Sequence, residues 1–372
     1  MVNEYNLISY DLDLHTNNNY LTHNYHPYPA KFIPEIPKEI ILKLSKEGDW
    51  ILDPFCGCGT ALVESALHNR NSVGIDINPI SVLVSKVKTT TLSQKQINEV
   101  IKVKNTIVAE IQLNKKYKYA SFKNIDLWFP LEVQEALSVI KHNIESIKEV
   151  TVKDFLNVAF SSIIVRASNQ ESDTRYSAIE KNIKNTDVAR FFDTKVGGMI
   201  ERMNEYSKLT SKSQIRVFKK DSTKSLEFIG RKVDLAVTSP PYMNSYDYYL
   251  YHKHRMHWLG LDYKEAQDKE FGSRNKHNDK GLGVDAYTQP IKENAKAVKM
   301  VLKKGGYYCV VVGDAILKGK LIRMNSIFDE IFKESGYKKV REISFDQRKY
   351  TRTFTKNTKT EYKDSYILIY QN

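Results

Sequence analysis

The chain of 372 residues is 41% hydrophobic and 27% charged, which is enough to bury a core and too polar for a membrane protein. Met1-Val2-Asn3-Glu4-Tyr5 lacks the basic-then-apolar opening of a secretory signal, and three cysteines (Cys56, Cys58, Cys309) exclude a disulfide framework and fall short of a four-cysteine zinc site, so a reduced, cytoplasmic setting without a metal is expected. The 57 Lys and Arg outnumber the 44 Asp and Glu for a net charge of +13, which suits a polyanionic partner, although a lysine-rich background composition yields the same excess.

In chain order, the first strand is Trp50-Ile51-Leu52-Asp53, followed by the turn Pro54-Phe55-Cys56-Gly57-Cys58-Gly59-Thr60 and a helix from Ala61. A second strand, Ser72-Val73-Gly74-Ile75, ends at Asp76. Strand, glycine turn, helix, strand and acid in this order describe a βαβ nucleotide-binding unit. Residues 81–210 then read as mainly helical, with apolar residues at helical spacing in Ile97-Val100-Ile101, Val133-Ala136-Leu137-Ile140 and Phe155-Val158-Ala159-Ser162-Ile163. Strands resume at 215–218, 233–237 and 307–312, and two more lie near 340–345 and 366–370. About seven strands predict one wide, mostly parallel sheet with helices on both faces. The last two strands are joined through residues 347–360 without a clear helix, which favours antiparallel pairing at the end of the sheet. That connection holds Arg348, Lys349, Arg352, Lys356 and Lys359 and no acid, and is expected to touch phosphate.

Two segments carry chemistry. In Asp53-Pro54-Phe55-Cys56-Gly57-Cys58-Gly59-Thr60, alternate glycines let the backbone approach a ligand at the carboxyl end of the first strand, and Asp76 is placed to accept from ribose hydroxyls. In Thr238-Ser239-Pro240-Pro241-Tyr242, two prolines fix the backbone with carbonyls outward as acceptors, and an aromatic face stands beside them. Acceptors beside a stacking ring suit the exocyclic amino group of a flipped base, while a rigid post-strand turn is the plain structural alternative.

Together these motifs resemble the S-adenosylmethionine-dependent amino-methyltransferases of DNA, and the Ser-Pro-Pro-Tyr form resembles their cytosine-N4 subset. The run His26-Pro27-Tyr28-Pro29-Ala30-Lys31-Phe32-Ile33-Pro34 resembles the segment that precedes the cofactor loop in that family, and Lys303-Lys304-Gly305-Gly306 resembles a turn common in these folds. The resemblance implies an α/β, Rossmann-like seven-stranded methyltransferase sheet, mostly parallel with an antiparallel last strand, plus a helical insertion. It implies S-adenosyl-L-methionine as cofactor, held by Lys31, Phe32, Asp53, Phe55, Gly57, Gly59, Thr60, Asp76 and Asp221. Asp53 takes the cofactor's amino group, Asp76 the ribose and Asp221 the adenine. Ser239, Pro240, Pro241 and Tyr242 form the catalytic loop. Ser239 and the Pro240 carbonyl accept from the target amine, and Tyr242 stacks on the base. The loop has no cysteine, so the covalent route to ring-carbon methylation is not expected.

On this reading residues 1–80 hold the upstream segment and the cofactor-binding half, 81–210 a helical insertion, and 211–372 the catalytic half. Target recognition falls either to the insertion, with its polar run Arg166-Ala167-Ser168-Asn169-Gln170 through Arg175-Tyr176, or to residues 243–290. In the latter, Tyr246, Tyr248, Tyr249, Tyr251 and Trp258 interleave with Lys253 and Arg255, as core packing or as support for a displaced strand. His252 and His254, two residues apart, do not share a helix face, and no acid accompanies them and His257, so a metal site is not expected there. The expected partner is double-stranded DNA with a flipped target base, alongside a possible cognate restriction endonuclease and with no membrane. Adenine-N6 methylation of DNA, guanine-N2 methylation of RNA and a non-catalytic nucleic-acid-binding relic are the alternatives.

Overall fold

The computed structural model describes residues 19–210, 213–279, 281–345 and 363–372. The basic connection at 347–360 lies outside the described residues. A seven-stranded sheet is built from β1 (Trp50–Asp53), β2 (Asn71–Asp76), β5 (Ile215–Lys219), β6 (Val233–Thr238), β7 (Leu302–Gly313), β10 (Lys338–Phe345) and β11 (Ser365–Gln371), in the spatial order β10-β11-β7-β6-β1-β2-β5. β7, β6, β1, β2 and β5 pair in parallel, and β11 runs antiparallel to both β10 and β7. The seven-stranded, mostly parallel architecture expected from the sequence is present, with the last strand antiparallel and lying between its neighbours.

The sheet is covered on both faces, which is why its central strands are continuous apolar runs rather than alternating ones. Ile51 of β1 with Leu235 and Val237 of β6 packs against Ile36, Ile40 and Ile41 of α1 (Glu35–Leu44). Leu52 and Ala236 point the opposite way, into a core shared with α12 (Asp285–Val301) and α13 (Met324–Glu334). The run from Lys303 to Gly306, where the sequence suggested a turn, lies within β7 as a bulge: Leu302 stands beside Val233 and Tyr307 beside Leu235, and Gly305 holds a φ of +77°. Gly305 donates to the Asn372 carbonyl at 2.8 Å and Asn372 donates back to Gly306 at 2.9 Å, which pins the bulge to β11's end.

Between β2 and β5 lie α3 (Pro79–Lys88), α4 (Gln94–Gln112), α5 (Ile125–Trp128), α6 (Leu131–Glu145), α7 (Val150–Ala167) and α8 (Asn185–Ser207). α4 opens on a capping box in which Ser93 and Gln96 satisfy each other's backbone N–H groups. These helices bury a core of their own through Val100, Val133, Leu137, Phe155, Val158, Ile163 and Phe192; Ile101, which the spacing placed inside, is 39% exposed. Met256 and Trp258, from the chain after β6, close the same core. A short hairpin, β3 (Gln170–Ser172) and β4 (Arg175–Ala178), separates α7 from α8, and a second, β8 (Ala315–Leu317) and β9 (Lys320–Ile322), follows β7. Neither hairpin was anticipated, because strands of three or four residues are too short to show an alternation. Among the described residues no helix is long and apolar enough to cross a membrane.

Candidate active site

The strand order reverses between β1 and β6, and open α/β sheets bind ligands in the crevice at such a point. Here the two chemistry-bearing segments meet. Thr238, the last residue of β6, donates its hydroxyl to Asp53 Oδ1 at 2.6 Å, and Phe55 N–H donates to the same oxygen at 3.2 Å. Burial pushes the Asp53 carboxyl up to about 7, against the pull of these two hydrogen bonds.

The glycine loop folds over the neighbouring strand end. Cys56 N–H donates to the Ile75 carbonyl at 3.0 Å, and Gly57 N–H to Asp76 Oδ2 at 2.9 Å. Asn78 N–H donates to Asp76 Oδ1 at 2.8 Å. Burial raises Asp76 to about 6, opposed by these backbone donors. Gly57 and Gly59 both hold positive φ, +49° and +78°. They serve different ends. Gly57 faces the cavity and Tyr28, whereas a Cβ on Gly59 would meet the Ser85 side chain at 2.8 Å, so Gly59 brings α2 (Thr60–Leu67) and α3 together.

One cavity joins these parts. Of the residues singled out in the sequence, Lys31, Phe32, Asp53, Phe55, Gly57, Thr60, Asp76, Asp221, Ser239 and Pro241 line it. Gly59, Pro240 and Tyr242 do not line it. Asp221, just beyond β5, accepts from the Thr223 N–H at 3.0 Å and the Thr223 hydroxyl at 2.7 Å, which fixes its carboxylate at the rim. Burial draws Lys31 down to about 8.

The Ser-Pro-Pro-Tyr loop is braced from behind. The sequence placed both proline carbonyls outward, but that of Pro241 accepts from the Tyr287 hydroxyl at 2.8 Å, because α12 carries this tyrosine under the loop. The Tyr242 hydroxyl is pushed up to about 12 by burial, with a hydrogen bond to Ser239 opposing the shift. Its ring lies against Gly313 at the end of β7, where a Cβ would come within 3.2 Å of the ring. Tyr242 thus positions Ser239, which faces the cavity.

A roof covers the cavity, to which Tyr248 of α9 (Tyr248–Tyr251), Ala266 and Lys269 of α11 (Tyr263–Lys269) and the residues after it contribute, while α10 (Lys253–Leu259) between them packs into the helical core. The sequence reading missed four of its wall residues, Ala266, Lys269, Glu270 and Phe271. Glu270 is 6% exposed and accepts from Tyr248 N–H at 2.9 Å and Tyr249 N–H at 3.2 Å, and burial lifts its carboxyl to about 8. Phe271 meets Phe55 edge-on at 5.7 Å. Gly272 lets this segment pass close to the Ser-Pro-Pro-Tyr loop, since a Cβ there would sit 2.9 Å from Pro241 Cβ. No periodicity marks Glu270 or Phe271; their positions follow only from how the roof folds back. Tyr248 also lines the cavity, whereas Tyr249, Trp258 and Arg255 are buried. His254 packs against Trp128, Phe129 and Tyr176, and His257 stacks on Phe122 at 4.4 Å.

The fold and cavity define an α/β protein with a pocket at the switch point of a seven-stranded sheet. The lining fits S-adenosylmethionine in its chemistry: a glycine loop with no Cβ at Gly57, and acceptor carboxylates at the end of β2 and beyond β5. A family model described as DNA methylase matches residues 8–87. The Type II methyltransferase M.MvaI of Kocuria varians is 33% identical over 257 residues, covering 62% of this chain and 55% of the relative. The Type II methyltransferase M.MjaII of Methanocaldococcus jannaschii is 23% identical over 412 residues, covering 86% and 76%. The chain thus spans little more than half the length of M.MvaI. Among solved structures, TrmN from Thermus thermophilus aligns with a TM-score of 0.34 at 9% identity, over 91% of this chain and 49% of that chain. A putative rRNA-methylase from Clostridium thermocellum aligns at 0.35 and 11% identity, over 90% and 94%.

Proposed function

We propose that this chain is an S-adenosylmethionine-dependent DNA methyltransferase acting on cytosine N4 in double-stranded DNA, within a restriction–modification system and beside a cognate endonuclease. The observation that carries this reading is the shared cavity: Ser239 of the Ser-Pro-Pro-Tyr loop and the glycine loop with Asp76 line one space, tied at their bases by the Thr238–Asp53 hydrogen bond. The similarity to Type II methyltransferases and the net charge of +13 support a DNA substrate.

When bound, S-adenosylmethionine supplies a sulfonium methyl group already activated for transfer. The protein's own work is positioning and electrostatics. Asp76 and Asp221 orient the nucleoside, and Lys31, which also lines the cavity, favours a carboxylate. Ser239, held by Tyr242, accepts a hydrogen bond from the target amine. That draws the nitrogen toward tetrahedral geometry and frees a lone pair otherwise delocalised into the ring. Covalent catalysis through the cavity's Cys56 is disfavoured, because burial pushes its thiol well above the ordinary range and a thiolate is the nucleophilic form.

Ser239 ahead of Pro240-Pro241-Tyr242 favours cytosine over adenine. Nucleoside digestion and mass spectrometry of DNA from an expressing host test this directly. N4-methylcytosine is expected. N6-methyladenine overturns the base assignment and keeps the site, while N2-methylguanine in RNA with unmodified DNA overturns the substrate.

A further inference from the structure

We propose that the β3–β4 hairpin reads base edges of the duplex presented to the cavity. This rests on the DNA-methyltransferase reading and adds the element that chooses the sequence.

The hairpin is anchored far more firmly than its length requires. Asp173, in its turn, forms an ion pair with Arg255, which is fully buried. Arg255 also donates to the Ser161 carbonyl at 3.0 Å and to the Tyr251 carbonyl at 3.1 Å. A two-stranded ribbon alone is marginal in water, so the half-buried Asp173, paired with the buried Arg255 and its hydrogen bonds, holds the tip in one place. Tyr176 adds an aromatic anchor, stacking on His254 at 5.1 Å and against Trp128 at 4.7 Å.

The anchors lead to the active site. Arg255 and His254 belong to α10, and Tyr251 ends α9, which packs against β4. The first two residues of α9 donate their N–H groups to Glu270 in the cavity wall. The hairpin is therefore tied through α9 and α10 to the roof of the cavity, and its tip keeps a set relation to the site where a base would enter.

The outward face has the chemistry of base recognition. Thr174, Arg175, Ser177 and Ala178 are exposed, while Tyr176 between them is turned inward. Glu171 accepts from Arg175 at 2.6 Å and from Ser177 at 2.6 Å, which holds the guanidinium fork and the hydroxyl in register. A surface made only for phosphate needs cations and excludes carboxylates. This one mixes an arginine fork, hydroxyls and a carboxylate, the groups that pair with guanine, with any base and with cytosine in the major groove. A two-stranded ribbon fits that groove.

The test is the double variant Arg175→Ala, Ser177→Ala, expressed beside the parental protein in a host whose genome is then sequenced by modification-sensitive chemistry. Calorimetry with S-adenosylmethionine checks that the variant is folded and binds the cofactor as the parent does. The expected result is a drop of at least tenfold in the ratio of modified target sites to modified near-cognate sites. A photoreactive side chain placed at Thr174 should also crosslink to duplex carrying the target site. A variant with unchanged site preference, together with no crosslink, overturns the hairpin assignment and leaves the methyltransferase reading standing. A parental protein that modifies no DNA overturns that reading, and the hairpin assignment with it.

Discussion

The Thr238 hydroxyl donates to Asp53 Oδ1 at 2.6 Å across 185 residues of sequence, at the point where the sheet reverses its strand order. The bond joins the roots of the glycine loop and of the Ser-Pro-Pro-Tyr loop, so neither can shift without the other. It is also one of two hydrogen bonds that offset the desolvation of Asp53. Thr238→Val keeps the shape and removes the donor. It should destabilise the fold by about 1–3 kcal/mol above pH 7, measured by urea denaturation. A midpoint equal to the parent's would make the bond incidental.

Asp76→Ala should weaken S-adenosylmethionine binding by about 1–3 kcal/mol, the range for a ligand group losing its charged partner. The variant also strips Gly57 N–H of its acceptor, so the loop loosens as well. Titration calorimetry on folded variant reports the loss; unchanged affinity removes Asp76 from the site.

Ser239→Ala should lower turnover by about tenfold or more, the equivalent of one hydrogen bond of about 1.4 kcal/mol made to the reacting group. Cofactor affinity should hold, because Ser239 is assigned to the base. Parental turnover would leave the role to the Pro240 carbonyl.

Glu270 gives a pH signature. Its folded carboxyl titrates near 8 and an unfolded one near about 4.3, so between these values the unfolded chain has lost a proton that the native state keeps. Stability therefore falls as pH rises through this window. Glu270→Gln resembles the protonated acid and should gain on the parent from about pH 5 to pH 8, by at most about 5 kcal/mol at about 1.36 kcal/mol per pKa unit. Parallel melting curves across that range would show that Glu270 titrates normally.

Gly59→Ala should cost about 2 kcal/mol or more in stability, since it combines positive φ with a Cβ 2.8 Å from Ser85 Oγ. Cofactor affinity of the folded protein should change little, because Gly59 lies off the cavity wall. A stable variant that fails to bind cofactor would return Gly59 to the binding loop.

Much of this site was legible before any fold was known. Buried parallel strands are continuous apolar runs, glycine and proline impose their own backbone geometry, and an acid at a strand end marks the crevice above it. Those local properties let Asp53, Gly57, Asp76 and Ser239 be picked out by eye, the family resemblance added Asp221, and all five line the cavity. What only the tertiary structure decided depends on distant segments meeting. Pro241 lost its free carbonyl because Tyr287 arrives beneath it from 46 residues away. Arg255, read among possible nucleic-acid contacts, is fully buried because Asp173 and two carbonyls surround it. Glu270 became a cavity wall because the roof folds back on Tyr248 and Tyr249. Desolvation and pairing of polar groups are set by packing, and packing leaves no period in the sequence for a single charged residue to reveal.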